Sequence, residues 1–89
     1  MIRYKIEFYG RVQGVGFRYK SMSIANRIGL TGIVKNEYDG SVYMEVQGEL
    51  KVIEKLVDEL MDDRFIRIDK FYKTELNVIK DEKGFIIGN

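Results

Sequence analysis

The chain contains no cysteine and no histidine. The first absence excludes disulfides and a thiolate nucleophile, and the second excludes an imidazole acid or base. With both gone, a zinc site of ordinary type has no ligands to draw on. No apolar run approaches membrane-spanning length. Charge of one sign is also lacking: 15 Lys and Arg stand against 14 Asp and Glu, a net charge of +1. No bulk field therefore argues for nucleic acid or an acidic membrane, and the basic residues form no dense run. The opening Met1-Ile2-Arg3-Tyr4-Lys5 alternates charged with apolar residues, so a signal peptide is not expected. The expectation is a cytoplasmic protein, although missing cysteine is neutral about compartment.

What is present suits a soluble globular protein. Eighty-nine residues, 45% hydrophobic and 33% charged, predict one domain over 1–89 with a single core and little margin. The most informative stretch is Gly10-Arg11-Val12-Gln13-Gly14-Val15-Gly16-Phe17-Arg18. Its glycines fall between a strand-like run and a helix-like one. Glycine permits positive φ and close approach of a ligand to the main chain. Successive amides in such a turn can converge on an anion. The following helix opens near Phe17 and Arg18, with unpaired N–H groups and no Ser, Thr, Asp or Asn to cap them. An anion can take that place. Arg18 adds a permanent charge and a planar fork matched to phosphate or carboxylate. The same residues also suit a plain tight turn, with Gly16 a modest cap and Arg18 solvated. Neither the dinucleotide fingerprint nor a P-loop fits, because the third glycine of the first and the Gly-Lys-Ser/Thr of the second are missing.

Taken in order, residues 3–9 alternate, with Tyr4, Ile6 and Phe8 on one face and Arg3, Lys5, Glu7 and Tyr9 on the other. Residues 18–29 carry Met22, Ala25 and Ile28 at helical spacing, and Gly29 is a plausible stop. Thr31–Asn36 reads as a second strand, and Asp39-Gly40 as a hairpin signal. Residues 41–47 form a third strand with Val42, Met44 and Val46 on one face. A helix over 50–62 presents Ile53, Leu56, Val57, Leu60 and Met61 as a core stripe. Residues 65–79 predict a long strand, bulged near Lys70-Phe71, and a turn at 81–84 leads to a short strand with Phe85 and Ile87.

The order is βαββαβ plus a short C-terminal strand. One apolar face per strand calls for two helices on one side of an antiparallel sheet, the ferredoxin-like, split βαβ arrangement of the α+β class. The right-handed crossover makes the first two strands parallel with the third between them. Their C-terminal ends then share one edge, two strand spacings or roughly 10 Å apart. Asn36 shares parity with Val34, so if Val34 enters the core, Asn36 points to the helix layer beside the glycine loop. It can face an anion held there and orient a water, or it is an ordinary turn residue before Asp39-Gly40.

Gly10 to Arg18 resembles the G-R-V-Q-G-V-x-F-R signature of the acylphosphatase family. Gly32-Ile33-Val34-Lys35-Asn36, with Gly40 and Val42, is similar to its second motif, and the separation and element order match. The resemblance covers essentially the whole chain. It implies hydrolysis of acyl phosphates to a carboxylate and inorganic phosphate, with neither metal nor cofactor. It implies that Arg18 binds the phosphate, that Asn36 orients the attacking water, and that the loop (Arg11, Val12, Gln13, Gly14, Val15, Gly16, Phe17 and Arg18) cradles the phosphate. The expected partners are a small acyl phosphate and, as competing anions, inorganic phosphate or sulfate. No nucleic acid or membrane is expected, and the chain is expected to be a monomer. Three departures stand out. Ile33 occupies a position where many members have an aromatic. Glu37 follows the asparagine where members often have an uncharged residue, and its charge would weaken an anionic substrate by a modest, screened amount. Phe65–Ile79 lacks the usual Pro- and Gly-containing lead-in.

The chemistry is compatible with the residues. An acyl phosphate is already activated, because a carboxylate leaves easily, so positioning and charge stabilisation suffice. One Arg, an amide cradle and one Asn supply both. A phosphomonoester would want a general acid or metal that this loop does not offer. Two rival readings remain. A non-catalytic anion-sensing or partner-binding domain would keep the loop without turnover. An RNA-binding module shares the βαββαβ order, but two tyrosines, Tyr9 and Tyr43, among charges make a poor stacking platform. The acidic Asp58, Glu59, Asp62 and Asp63 read as the solvated face and end of the second helix rather than a metal site.

Overall fold

The computed structural model describes residues 1–88. Strict alternation in the first apolar stretch produces β1 (Ile2–Arg11), with Ile6 and Phe8 fully buried. After the glycine loop, α1 (Phe17–Ile28) runs back along the sheet. Gly29 ends it in the left-handed region (φ 85°), and Leu30 N–H returns to the Ala25 carbonyl at 2.8 Å. The chain continues as β2 (Thr31–Asn36), β3 (Val42–Gly48), α2 (Leu50–Met61), β4 (Arg67–Leu76) and β5 (Phe85–Ile87). The strands lie in the order β4-β1-β3-β2-β5. The four long strands are antiparallel neighbours, as expected, while β5 pairs parallel to β2 and makes the whole sheet mixed.

Both helices cover one face. Val34, Val42, Met44, Val46, Ile53, Leu56 and Leu60 are buried between the layers to within 1% of full burial. Burial of a side chain of this size contributes about 1.5–3 kcal/mol, so this layer dominates stability. Two ion pairs tie α1 to α2 and the segment after it: Arg27 to Glu59 at 2.9 Å and Lys20 to Asp63 at 2.6 Å. Two members of the acidic cluster are thus engaged with α1. Asp63 also accepts from the Phe65 and Ile66 amides, and the Lys20 hydrogen bond leads the causes that hold its carboxyl below the usual range.

Several expectations need correction. On α1 the buried residues are Phe17, Ser21, Ile24 and Ala25, and Met22 and Ile28 are only partly covered. Ser21 replaces an apolar residue in the true stripe, which hid its phase. On α2, Met61 stays half exposed. The last long strand is Arg67–Leu76, shorter than 65–79. Its bulge does lie near Lys70-Phe71 as expected, at the adjacent Asp69, because Tyr9 pairs with Lys70 and Gly10 with Ile68. Gly10 permits this bulge: φ is 135°, and a Cβ there would stand 2.2 Å from the Arg67 carbonyl oxygen. The open sheet face is not uniformly solvated either. Arg3 is only 2% exposed, beneath residues 79–82, and its guanidinium bonds Glu45, Gln47 and Glu82. Gln47 fastens the same segment, donating to the Ile79 carbonyl and accepting from its amide.

Candidate active site

β1 and β2 both end at one edge of the sheet, with β3 antiparallel between them. Two loops meet there. The first is residues 12–16, between β1 and α1. Val12 and Phe17 bury their side chains and pin its two ends, and Val15 packs against the same core. Between them Gly14 (φ 72°) and Gly16 (φ 81°) are left-handed and exposed. A Cβ at either would meet nothing within 4 Å, so conformation rather than space selects glycine. The first helical bond runs from Lys20 N–H to the Gly16 carbonyl at 3.0 Å, and α1 has no side-chain cap. Among the described residues, no backbone carbonyl takes the amides of Gln13, Gly14, Val15, Gly16 or Phe17. Left-handed residues in alternation, followed by a helix N-terminus, are the geometry in which such amides gather around an anion. Arg18, partly exposed, occupies the second position of the helix.

Arg11 is exposed and belongs to β1, in the last rung opposite Arg67, so the loop proper starts after it. The Gln13 side chain turns away from solvent instead. Its Nε2 donates to the Glu37 carbonyl and to the Ser41 carbonyl, each at 2.8 Å.

That contact joins the first loop to the second, residues 37–41. Here Glu37 N–H donates to Ser41 O at 2.9 Å, Gly40 N–H to Glu37 O at 3.2 Å, and Ser41 N–H to Asp39 Oδ1 at 2.9 Å. The Ser41 hydroxyl bond leads the causes that hold the Asp39 carboxyl below its ordinary range. Asn36, the last residue of β2, lies directly before this loop and opposite Val42. Its Oδ1 is buried and accepts no hydrogen bond from the described residues. A surface depression there is lined by Lys35, Asn36, Glu37 and Tyr38. A separate groove between α2 and β4, with Ile53, Val57 and Phe71 in its wall, lies outside these loops. The sequence placed Asn36 beside the glycine loop through topology alone. It gave no sign of the Gln13 tie, because a polar side chain in a loop does not announce a carbonyl more than twenty positions away.

A family model described as acylphosphatase matches residues 4–87. A protein of Clostridium acetobutylicum named acylphosphatase is 41% identical over 88 residues, covering 98% of this chain and 97% of that one. Among solved structures, an acylphosphatase from Bacillus subtilis superposes with a TM-score of 0.90 at 32% identity, over the full length of both chains. T. kodakarensis HypF carries the same fold in 12% of its chain, with a TM-score of 0.85, 33% identity and 100% of this chain covered. Matching over nearly its whole length in sequence and in structure, the chain belongs to the acylphosphatase family.

Proposed function

We propose that this chain, acting as one domain, hydrolyses the carboxyl-phosphate bond of small acyl phosphates at the edge where β1 and β2 end. The amides of the glycine loop and the start of α1 hold the phosphoryl oxygens, and Arg18 supplies a fixed charge and a two-pronged donor. Asn36 accepts a hydrogen from the attacking water at Oδ1 and donates through Nδ2 to a substrate oxygen. The water's oxygen forms a bond to phosphorus in line with the leaving carboxylate oxygen. The P–O bond to the acyl group breaks with its electron pair, giving R–COO⁻ and H₂PO₄⁻ from R–CO–OPO₃²⁻ and H₂O. Acyl phosphates suit this site because the leaving carboxylate needs no proton. Donors already aimed at the phosphoryl oxygens need no reorganisation as charge redistributes.

One observation carries the reading: the buried Asn36 Oδ1, which accepts no hydrogen bond from the described residues, beside a loop whose amides meet no backbone carbonyl among those residues. Burial of an unsatisfied acceptor costs about 1–3 kcal/mol, so a site that retains one has a use for it. Inorganic phosphate and sulfate would occupy the same cradle and compete. A monomer fits the sheet edges: β4 carries Lys70 and Lys73 and a bulge, and β5 is only three residues long. Cytoplasmic residence is part of the same reading, on composition alone, and no described helix is long and apolar enough to cross a membrane.

The test is hydrolysis of benzoyl phosphate by the purified protein, with and without a chelator. Turnover that phosphate inhibits and chelator leaves unchanged is expected. The chain has no His or Cys, and its described residues form no group of three or more His, Cys, Asp or Glu able to hold a metal. Binding of phosphate without turnover would instead make this an anion sensor.

A further inference from the structure

We infer that the Gln13 side chain positions Asn36 and is not itself a ligand of the phosphate. Its Nε2 carries two hydrogens, and both are placed: one on Glu37 O and one on Ser41 O, each at 2.8 Å. Those two carbonyls are themselves doubly used. Glu37 O also accepts from Gly40 N–H, and Ser41 O also accepts from Glu37 N–H. Each carbonyl has two lone pairs, so Gln13 completes both acceptors and leaves neither free for solvent. Asn36 precedes Glu37 by one residue and pairs with Val42, which follows Ser41. The two carbonyls that Gln13 grips therefore lie together on the turn side of the rung that carries Asn36, one residue beyond it on each strand.

The consequence is a fixed separation between the two halves of the site. Gln13 starts the turn whose next residues, Gly14 and Gly16, set the amide cradle. Its far end sets where β2 stops. Without the tie, the loops would lose the hydrogen bonds Gln13 makes between them, and Asn36 would be free to shift relative to the bound phosphoryl group. A displacement of about 1 Å at a reacting group can cost about 10²-fold in rate. The Gln13 amide hydrogens cannot also meet phosphate while they serve these carbonyls. The inference rests on the proposed roles of Asn36 and the loop, and predicts a signature distinct from theirs.

Two variants test it with benzoyl phosphate as substrate and inorganic phosphate as inhibitor. Gln13→Met keeps the length and removes the donors. Its kcat should fall about 10²-fold while the phosphate inhibition constant stays within about threefold of wild type. Gln13→Glu places a carboxylate against two carbonyls, which disfavours the charged form and raises its pKa from about 4.3. Once protonated it regains one O–H donor. Its kcat relative to wild type, measured at each pH, should rise severalfold between about pH 7.5 and about pH 5. A merely structural residue would give no such rescue. A Gln13→Met enzyme with normal kcat, or one losing phosphate affinity and kcat by the same factor, would overturn the inference. So would a flat Gln13→Glu ratio, which remains informative even if the Met variant fails to fold. Asn36→Ala and Arg18→Ala run alongside. If these two turn over normally, the underlying reading fails first; if they are crippled and Gln13→Met is not, only the Gln13 inference fails.

Discussion

Replacing Arg3 by Met should lower stability substantially and leave the chemistry intact. Arg3 donates Nη1 to Glu82 Oε1 at 2.8 Å and to Gln47 at 3.1 Å, Nη2 to Glu45 at 2.9 Å and to Glu82 Oε2 at 3.2 Å, and Nε to Glu45 at 3.1 Å. Methionine fills much of the volume but strands two carboxylates, which keep only the Tyr43 and Thr31 hydroxyls from this network. Removing one partner of a buried pair costs about 3–5 kcal/mol. Glu45 and Glu82 keep 25% and 18% side-chain exposure and can recruit water, so the lower end, about 3 kcal/mol, applies. For a domain of this size that is a fall in Tm of about 12 °C or more. Circular dichroism melts at neutral pH would measure it, with Arg3→Met/Glu82→Gln as the control: it removes one of the stranded charges and should recover part of the loss. The kcat of the folded variant should be unchanged, because Arg3 sits near the start of β1 and the site at its end. A melting point within about 2 °C of wild type would refute the reasoning, since it would mean that water serves Glu45 and Glu82 as well as the guanidinium does.

Three further outcomes follow from the same physics. Gly10→Ala forces a side chain onto the Arg67 carbonyl at positive φ and should destabilise by about 3 kcal/mol or more in a denaturant titration. Acid should weaken the protein. The Tyr43 hydroxyl bond and then Arg3 hold Glu45 below its ordinary range, and at Glu82 burial pushes up but Arg3 and Thr31 outweigh it. Groups lowered by folding give stability that is complete above the unfolded pKa and lost as pH falls through the folded one. The free energy of unfolding should therefore be flat near neutrality and decline below about pH 4.5, and Glu82→Gln should soften the decline. Arg18→Lys should lose about 10²-fold or more in kcat/KM with the fold intact, because an ammonium lacks the fork.

Local pattern carried most of the scaffold. The alternation of Ile6 and Phe8, the stripe Ile53-Leu56-Val57-Leu60 and the Gly29 stop all lie where the sequence puts them, since each depends on neighbours within a turn or two. What stayed hidden depends on distant chain. Arg3 looks like a solvated strand residue until the segment carrying Glu82 folds over it, and Gln13 looks like a phosphate-loop residue until Glu37 and Ser41 arrive beneath it. The bulge expected near Lys70-Phe71 is present at the adjacent Asp69, but what accommodates it, the missing Cβ of Gly10, stands on the opposite strand and could not be read locally.

The most direct test of the account compares Asn36→Ala with Arg18→Ala, reading kcat on benzoyl phosphate and inhibition by inorganic phosphate for each. Positioning of the water matters mainly in the transition state, whereas the anion is held in every state. Asn36→Ala should lower kcat by about 10²-fold with little change in phosphate inhibition, and Arg18→Ala should lose phosphate inhibition foremost. Normal turnover by folded Asn36→Ala, or loss of phosphate binding there with its retention in Arg18→Ala, would contradict the assignment of water to Asn36 and phosphate to Arg18.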